Sequence, residues 1–102
     1  MTMEKKNENQ KYVVRCNRAG VFFGEIKELD GDTVTMCNVR KLWYWSGACA
    51  VEELAVNGVS DPDNCKFTVQ VPEMALEKPI QIIACSDKAA KSLASVKEWK
   101  RG

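Results

Sequence analysis

The feature that most constrains the fold is a hairpin signal at Asp30-Gly31, which separates two runs of β-branched and aromatic residues. The first run covers residues 21–28, and the second covers residues 33–36. Asp-Gly is a preferred pair in a type I′ turn, because both central residues of that turn need positive φ. The pattern therefore predicts two antiparallel strands joined by a tight turn.

Similar signals along the rest of the chain predict further short elements. They are a first strand that begins at Tyr12 and turns at Ala19-Gly20, a helix over residues 50–56 that Gly58 ends, a strand over residues 66–71 that Pro72 ends, a strand over residues 79–85, and a helix over residues 87–95 that Ser86 caps. Short antiparallel strands remove most exposed edges by curling. We predict a mainly β (α+β) fold, a small antiparallel β-barrel or strongly twisted sheet with one short inserted helix and one C-terminal helix.

The length and composition predict one domain. The chain has 102 residues, of which 45% are hydrophobic, and these values suit a single globular core. Residues 1–10 are almost entirely polar, so we expect a disordered tail there and a single compact domain over residues 11–102. No apolar run approaches the ~20 residues that a membrane-spanning helix needs.

Charge and cysteine content limit the possible partners and cofactors. The net charge is only +1, which makes duplex nucleic acid an unlikely partner. The five cysteines form no C-x-x-C pair and the chain has no histidine, so we expect neither a metal nor another cofactor. The odd number of cysteines, without a signal peptide, favours a reducing compartment in which free thiols are buried.

The densest group of aromatic and basic side chains lies in residues 40–47, and it is the candidate binding site. Its members are Arg40, Lys41, Trp43, Tyr44, Trp45, Ser46 and Gly47. In an extended strand Trp43 and Trp45 would share one face, and Leu42 and Tyr44 the other. An indole can stack on a nucleobase, a guanidinium can bind a phosphate, and a glycine lets backbone N–H groups approach an anion.

Two interpretations of this segment stay open at the level of sequence. In the first, the segment binds a small anionic nucleotide, and Arg15 and Arg18 join it if the first hairpin packs alongside. In the second, Trp43 and Tyr44 belong to the core and Trp45 lies in a subunit interface, where aromatic residues are enriched.

The residues that could support catalysis are few, and we predict that the protein is not an enzyme. Without histidine, a cysteine or serine nucleophile would need an unusual activator. Asp61, Asp63 and Asn64 have the right chemistry for a hard cation, but they surround Pro62, where a turn alone explains them.

Four strings of residues resemble those of a family of small phage and prophage proteins. They are VVRCNRAGVFFG at residues 13–24, Arg40-Lys41-Leu42-Trp43-Tyr44-Trp45-Ser46-Gly47-Ala48, Asn64-Cys65-Lys66-Phe67 and Ser95-Val96-Lys97-Glu98-Trp99. The resemblance extends from Tyr12 to Trp99, and its central string is highly specific. The chain departs from the family at Ala50-Val51, where a serine usually begins the helix.

The resemblance implies a viral sponge that sequesters a cyclic dinucleotide made by the bacterial CBASS defence, without cleaving it. It also implies a homo-oligomer, a tetramer, in the cytoplasm of the infected bacterial host. Three other functions stay open. They are an inhibitor that binds a host protein through an aromatic patch, an enzyme that hydrolyses the nucleotide with a metal at Asp61 and Asp63, and a single-strand nucleic-acid binder.

Overall fold

The structure is a computed structural model that describes residues 10–100. Its elements are β1 (Tyr12–Cys16), β2 (Gly20–Asp30), β3 (Thr33–Tyr44), α1 (Val51–Asn57), a 3-10 turn (Pro62–Asn64), β4 (Lys66–Phe67), β5 (Val71–Glu77), β6 (Pro79–Ala84) and α2 (Asp87–Ser95). Most of the predicted tail over residues 1–10 lies outside the described residues. The exception is Gln10, whose side-chain amide donates a hydrogen bond to the carbonyl of Cys85 at 2.8 Å.

The six strands form one antiparallel sheet in the order β4-β3-β2-β1-β6, and β5 pairs with the first half of β3. Lys78 alone connects β5 to β6, in a positive-φ conformation of 54°. Its N–H donates to the carbonyl of Asp32 at 2.6 Å. The predicted mainly β fold is confirmed, and the sheet is twisted rather than closed into a barrel.

The buried side chains form two clusters. The helix cluster consists of Val13, Val21, Phe23, Leu42, Val51, Leu54, Ala55, Val59, Cys65, Phe67, Cys85, Ala89, Leu93 and Val96. The strand cluster consists of Tyr12, Val14, Cys16, Phe22, Val34, Met36, Val39 and Leu76. Consecutive residues of β1 and β2 divide between the two clusters because side chains alternate across a sheet.

Both predicted helices are present, and α1 differs slightly from its predicted bounds. The Ser86 hydroxyl accepts a hydrogen bond from the N–H of Ala89 at 3.0 Å, so the predicted cap of α2 is confirmed. Helix α1 begins at Val51, one residue later than predicted, and Ala50 provides no side-chain cap. Neither α1, with seven residues, nor α2, with nine, is a candidate for crossing a membrane.

The strand predicted over residues 66–71 is wrong in its extent. Strand β4 is only two residues long, and a separate strand β5 begins at Val71 and includes Pro72. Proline cannot donate to a neighbouring strand, so it normally stops a strand in the interior of a sheet. Strand β5 tolerates it because β3 is the only strand with which β5 pairs among the described residues.

The hairpin at Asp30-Gly31 forms, but its turn differs from the prediction. Asp30 pairs with Thr33, so Gly31 and Asp32 are the central residues. Gly31 has a φ of 59°, whereas Asp32 is not among the described residues with positive φ. The turn is therefore not of type I′, which needs positive φ at both positions.

Candidate functional site

Strand β3 continues through most of the candidate segment and ends at Tyr44. Leu42 is buried, whereas Trp43 and Tyr44 are 53% and 52% exposed. Leu42 pairs with Phe67 and Tyr44 with Lys66, so Trp43 is an extra residue opposite β4. Such a bulge breaks the alternation of a strand. The prediction that Leu42 and Tyr44 share a face is therefore wrong, and two adjacent rings face the solvent.

The C-terminal segment brings a third ring to this surface. Glu98 forms a parallel bridge with Phe67, and the N–H of Trp99 donates to the Phe67 carbonyl at 2.8 Å. The Trp99 ring then stacks on Trp43, with 4.9 Å between ring centroids and 26° between ring planes. Trp99 is 37% exposed, so the pair remains accessible.

Lys66 adds a cation to the three rings. Its Nζ lies 5.4 Å from the ring centroid of Trp43 and 5.3 Å from that of Trp99. The Tyr44 centroid is 6.0 Å away. The two indole centroids and the ammonium thus form a nearly equilateral triangle, in which the ammonium lies beside the stack rather than above it. We call Trp43, Tyr44, Lys66 and Trp99 the aromatic surface.

An open depression of about 600 Å³ adjoins the aromatic surface. Its lining includes Tyr44, Ser46, Asp63, Asn64, Lys66 and Trp99. The Asp61 carboxylate beside it accepts hydrogen bonds from the Ser46 hydroxyl at 3.1 Å and the Asn64 amide at 2.9 Å. Among the described residues, no group of acidic, cysteine or histidine side chains is arranged to hold a metal ion. Asp61 thus serves the internal bonding of the loop.

Arg40 lies below the aromatic surface rather than on it. Its side chain is buried and donates to the carbonyls of Thr68 at 3.2 Å, Leu93 at 3.5 Å and Val96 at 2.7 Å. Burial lowers the pKa of the Arg40 guanidinium, and the carboxylate of Glu98 acts in the opposite direction. Arg40 therefore donates its hydrogen bonds to the protein's own backbone.

The other predicted cations lie elsewhere, on β1, on β3 and in the turn after β1. Lys41 pairs with Phe22, and its side chain extends towards Gly20, where an added Cβ would lie 3.0 Å from Lys41 Cε. Arg15 is exposed on β1. Arg18 is exposed in the turn after β1, where it lines a separate depression. The structure does not bring these three side chains to the aromatic surface.

The last residues of the candidate segment divide between core and surface. Trp45 is partly buried and packs against the helix cluster. Ser46 borders the depression. Gly47 has a φ of 91°, and an added Cβ would lie 2.5 Å from Ser60 Oγ. Glycine is needed at this position because the loop that contains Ser60 passes so close.

Reasoning from the sequence missed Lys66 and Trp99 as site residues. Both stand in strings that resemble the phage family, but neither lies near residues 40–47 in the chain. Trp99 follows Trp43 by 56 positions. No local pattern reports such a contact, since it depends on how α2 returns the chain to β4.

These features define a small twisted-sheet protein with an exposed surface of stacked indoles and a lysine. The chain belongs to the DUF6948 family, a domain of unknown function, which matches residues 9–93. No curated protein and no solved structure matches the chain significantly. The family match includes Trp43, Tyr44 and Lys66 and ends before Trp99.

Proposed function

We propose that the protein binds a nucleotide on the aromatic surface and holds it without cleaving it. The observation that carries this proposal is the Trp43–Trp99 stack with the Lys66 ammonium at its side. A nucleotide offers a flat base and a phosphate, and this surface offers a flat aromatic face and a cation.

The Lys66 ammonium is about equally far from the two indoles. An ammonium above the outer face of Trp43 would lie much farther from Trp99 than from Trp43, but the two distances are 5.4 and 5.3 Å. The outer face of Trp43 is therefore not covered by Lys66. A base stacked there would gain about 1–3 kcal/mol. Its phosphate would be within reach of the lysine at the side of the stack.

The exposure of the rings supports a ligand over a purely structural role. Full burial of a large apolar side chain is worth about 1.5–3 kcal/mol. Trp43 and Tyr44 gain only about half of that stabilisation, since each side chain is more than 50% exposed. Folding alone does not explain why large rings occupy these two adjacent positions.

The finer proposal, that the nucleotide is a cyclic dinucleotide of the CBASS defence, rests on the resemblance to phage proteins. Such a sponge would act stoichiometrically in the cytoplasm of the infected host by keeping the signal below the level that activates its effector. Nanomolar affinity requires about −12 kcal/mol. Two stacked bases and several charge-assisted hydrogen bonds are the interactions that would supply it.

The resemblance implies a homo-oligomer, a tetramer. We propose that its subunits contact one another through strand β6. After Pro79 this terminal strand carries no charged residue, and Ile80 is 55% exposed. The edge strand β5 carries Pro72 and Glu73, which discourage pairing with another chain. Light scattering should give a mass above one chain for the wild type and a lower mass for Ile80→Lys; a monomeric wild type would contradict this assignment.

The second candidate function is inhibition of a host protein through the same surface. Trp and Tyr are favoured at the centres of protein interfaces, and three such rings here are 37–53% exposed. This alternative predicts that immobilised protein captures a specific polypeptide and that Trp43→Ala abolishes the capture. The nucleotide proposal predicts no such dependence.

The experiment that separates these functions is calorimetric titration with a panel of cyclic mono- and dinucleotides, followed by heat denaturation to release whatever was bound. We expect one class to bind and to be recovered intact. Lys66→Gln should weaken binding about tenfold through loss of a charge-assisted contact, and Lys91→Gln, on the exposed face of α2, is the matched control. Absence of binding across the panel, or turnover that a chelator stops, would refute the proposal.

A further inference from the structure

Among the residues that the structure describes, Arg40 is the one charged side chain that is buried. All three hydrogen bonds that its guanidinium donates go to backbone carbonyls. The guanidinium also lies over the Phe67 ring, at 5.2 Å from its centroid. Arg40 thus donates its hydrogen bonds to two separate backbone segments, at residue 68 and at residues 93–96.

Two of these carbonyls mark the end of α2. Leu93 lies in its last turn, and Val96 is its C-terminal cap residue, with extended dihedrals of −66° and 130°. The last turn of α2 contains no basic residue of its own. A cation at a helix C-terminus satisfies free carbonyls and the negative end of the helix dipole. Arg40 supplies that cation from β3.

The chain segments that Arg40 ties together are those that carry the aromatic surface. Trp43 follows Arg40 on β3 by three residues, and Trp99 follows Val96 by three. The third carbonyl, that of Thr68, comes two residues after Lys66. One guanidinium therefore joins the backbone segments of both stacked indoles and of the lysine beside them.

We propose that Arg40 is a positioning residue that holds Trp99 against Trp43. By bonding the carbonyls of Leu93 and Val96, it directs the chain out of α2 and along β4, where the Trp99 N–H meets the Phe67 carbonyl. The expected effect of Arg40 on ligand binding rests on the proposed function. Its expected effect on the geometry of the Trp43–Trp99 stack does not.

Circular dichroism tests the ring geometry directly, because two stacked indoles couple and give a paired positive and negative band. Trp99→Phe should remove this couplet. The difference from the wild-type spectrum then measures how much of the circular dichroism signal comes from the Trp43–Trp99 pair. Arg40→Met should lower the couplet towards the Trp99→Phe level. Arg40→Lys keeps a charge but lacks the planar fork that reaches several carbonyls, so its couplet should be intermediate. Arg40→Lys also carries the test if Arg40→Met does not fold.

A matched control separates positioning from general destabilisation. Val34→Ala removes fully buried volume from the strand cluster and should leave the couplet unchanged in the folded protein. An unchanged couplet in both Arg40 variants, or an equal loss in Val34→Ala, would overturn the proposal.

Nucleotide titration then links this geometry to the proposed function. Arg40→Met should raise the Kd about 5- to 150-fold, the range expected for the loss of one stacked base. A wild-type protein that binds no nucleotide would refute the proposed function while leaving the couplet result, and hence the positioning role, intact. An unchanged nucleotide Kd in Arg40→Met would overturn the link between Arg40 and binding.

Discussion

Six of the eight aromatic residues of this protein fall into two groups with opposite surroundings. The buried group is Phe22, Phe23 and Phe67, which are 4%, 4% and 0% exposed. The exposed group is Trp43, Tyr44 and Trp99, which are 53%, 52% and 37% exposed. Hydrophobic burial explains the first group completely and the second only in part. The rings of the core and the rings of the aromatic surface should therefore contribute differently, so substitutions should separate stability from the proposed nucleotide binding.

The largest effect should come from the buried group. Phe67→Ala should lower the free energy of unfolding by about 3–5 kcal/mol, because it leaves a cavity in the helix cluster. Urea denaturation followed by far-ultraviolet circular dichroism measures this change. A loss below about 1 kcal/mol, the range of many surface substitutions, would contradict the distinction between the two groups.

Trp43→Ala should lower nucleotide affinity more than it lowers the free energy of unfolding. Loss of the ring pair with Trp99 should lower the free energy of unfolding by only about 0.5–1.5 kcal/mol. Nucleotide affinity should fall by about 1–3 kcal/mol, the contribution of one stacked base. Urea denaturation and calorimetric titration measure the two effects on one preparation. Val69→Ala is the control, since Val69 is 52% exposed and lies outside the aromatic surface. Destabilisation as large as that of Phe67→Ala would place Trp43 with the core.

The smallest effect should be a pH dependence that distinguishes a buried cysteine from an exposed one. Burial raises the pKa of Cys85 to about 11 from an ordinary value of 9.0. The unfolded chain releases this proton first, so the folded state binds more protons and the free energy of unfolding should fall as the pH rises from 9.0 to about 11. Urea denaturation should show a shallower fall in Cys85→Ala than in Cys49→Ala, whose thiol is exposed. Identical pH profiles would show that burial of Cys85 does not contribute.

The elements that were predicted correctly are those with strong local signals. Ser86 caps α2 through its own side chain, and Gly31 bends a hairpin that two runs of β-branched residues flank. The prediction that a strand over residues 66–71 ends at Pro72 was wrong, because the effect of a proline on a strand depends on whether a neighbouring strand needs the missing N–H. That requirement is a property of the assembled sheet and not of the residues around Pro72.

The candidate segment contains two of the exposed rings, but its members were not assigned to the right surroundings. Trp43 and Tyr44 are exposed, whereas Trp45 packs against the core and Arg40 is buried. Alternation along a strand predicts facing only while the register continues, and the bulge opposite β4 interrupts it at Trp43.

Local physical chemistry, which can be read from the sequence, determined the hairpin at Gly31, the β character and the stretch of chain in which aromatic and basic residues concentrate. Only the tertiary structure decided that Trp99 and Lys66 complete the aromatic surface and that Arg40 lies beneath it. The physical reason is distance along the chain. Turn and strand preferences act between neighbours, whereas the stack joins residues 43 and 99, which meet only after α2 packs on the sheet.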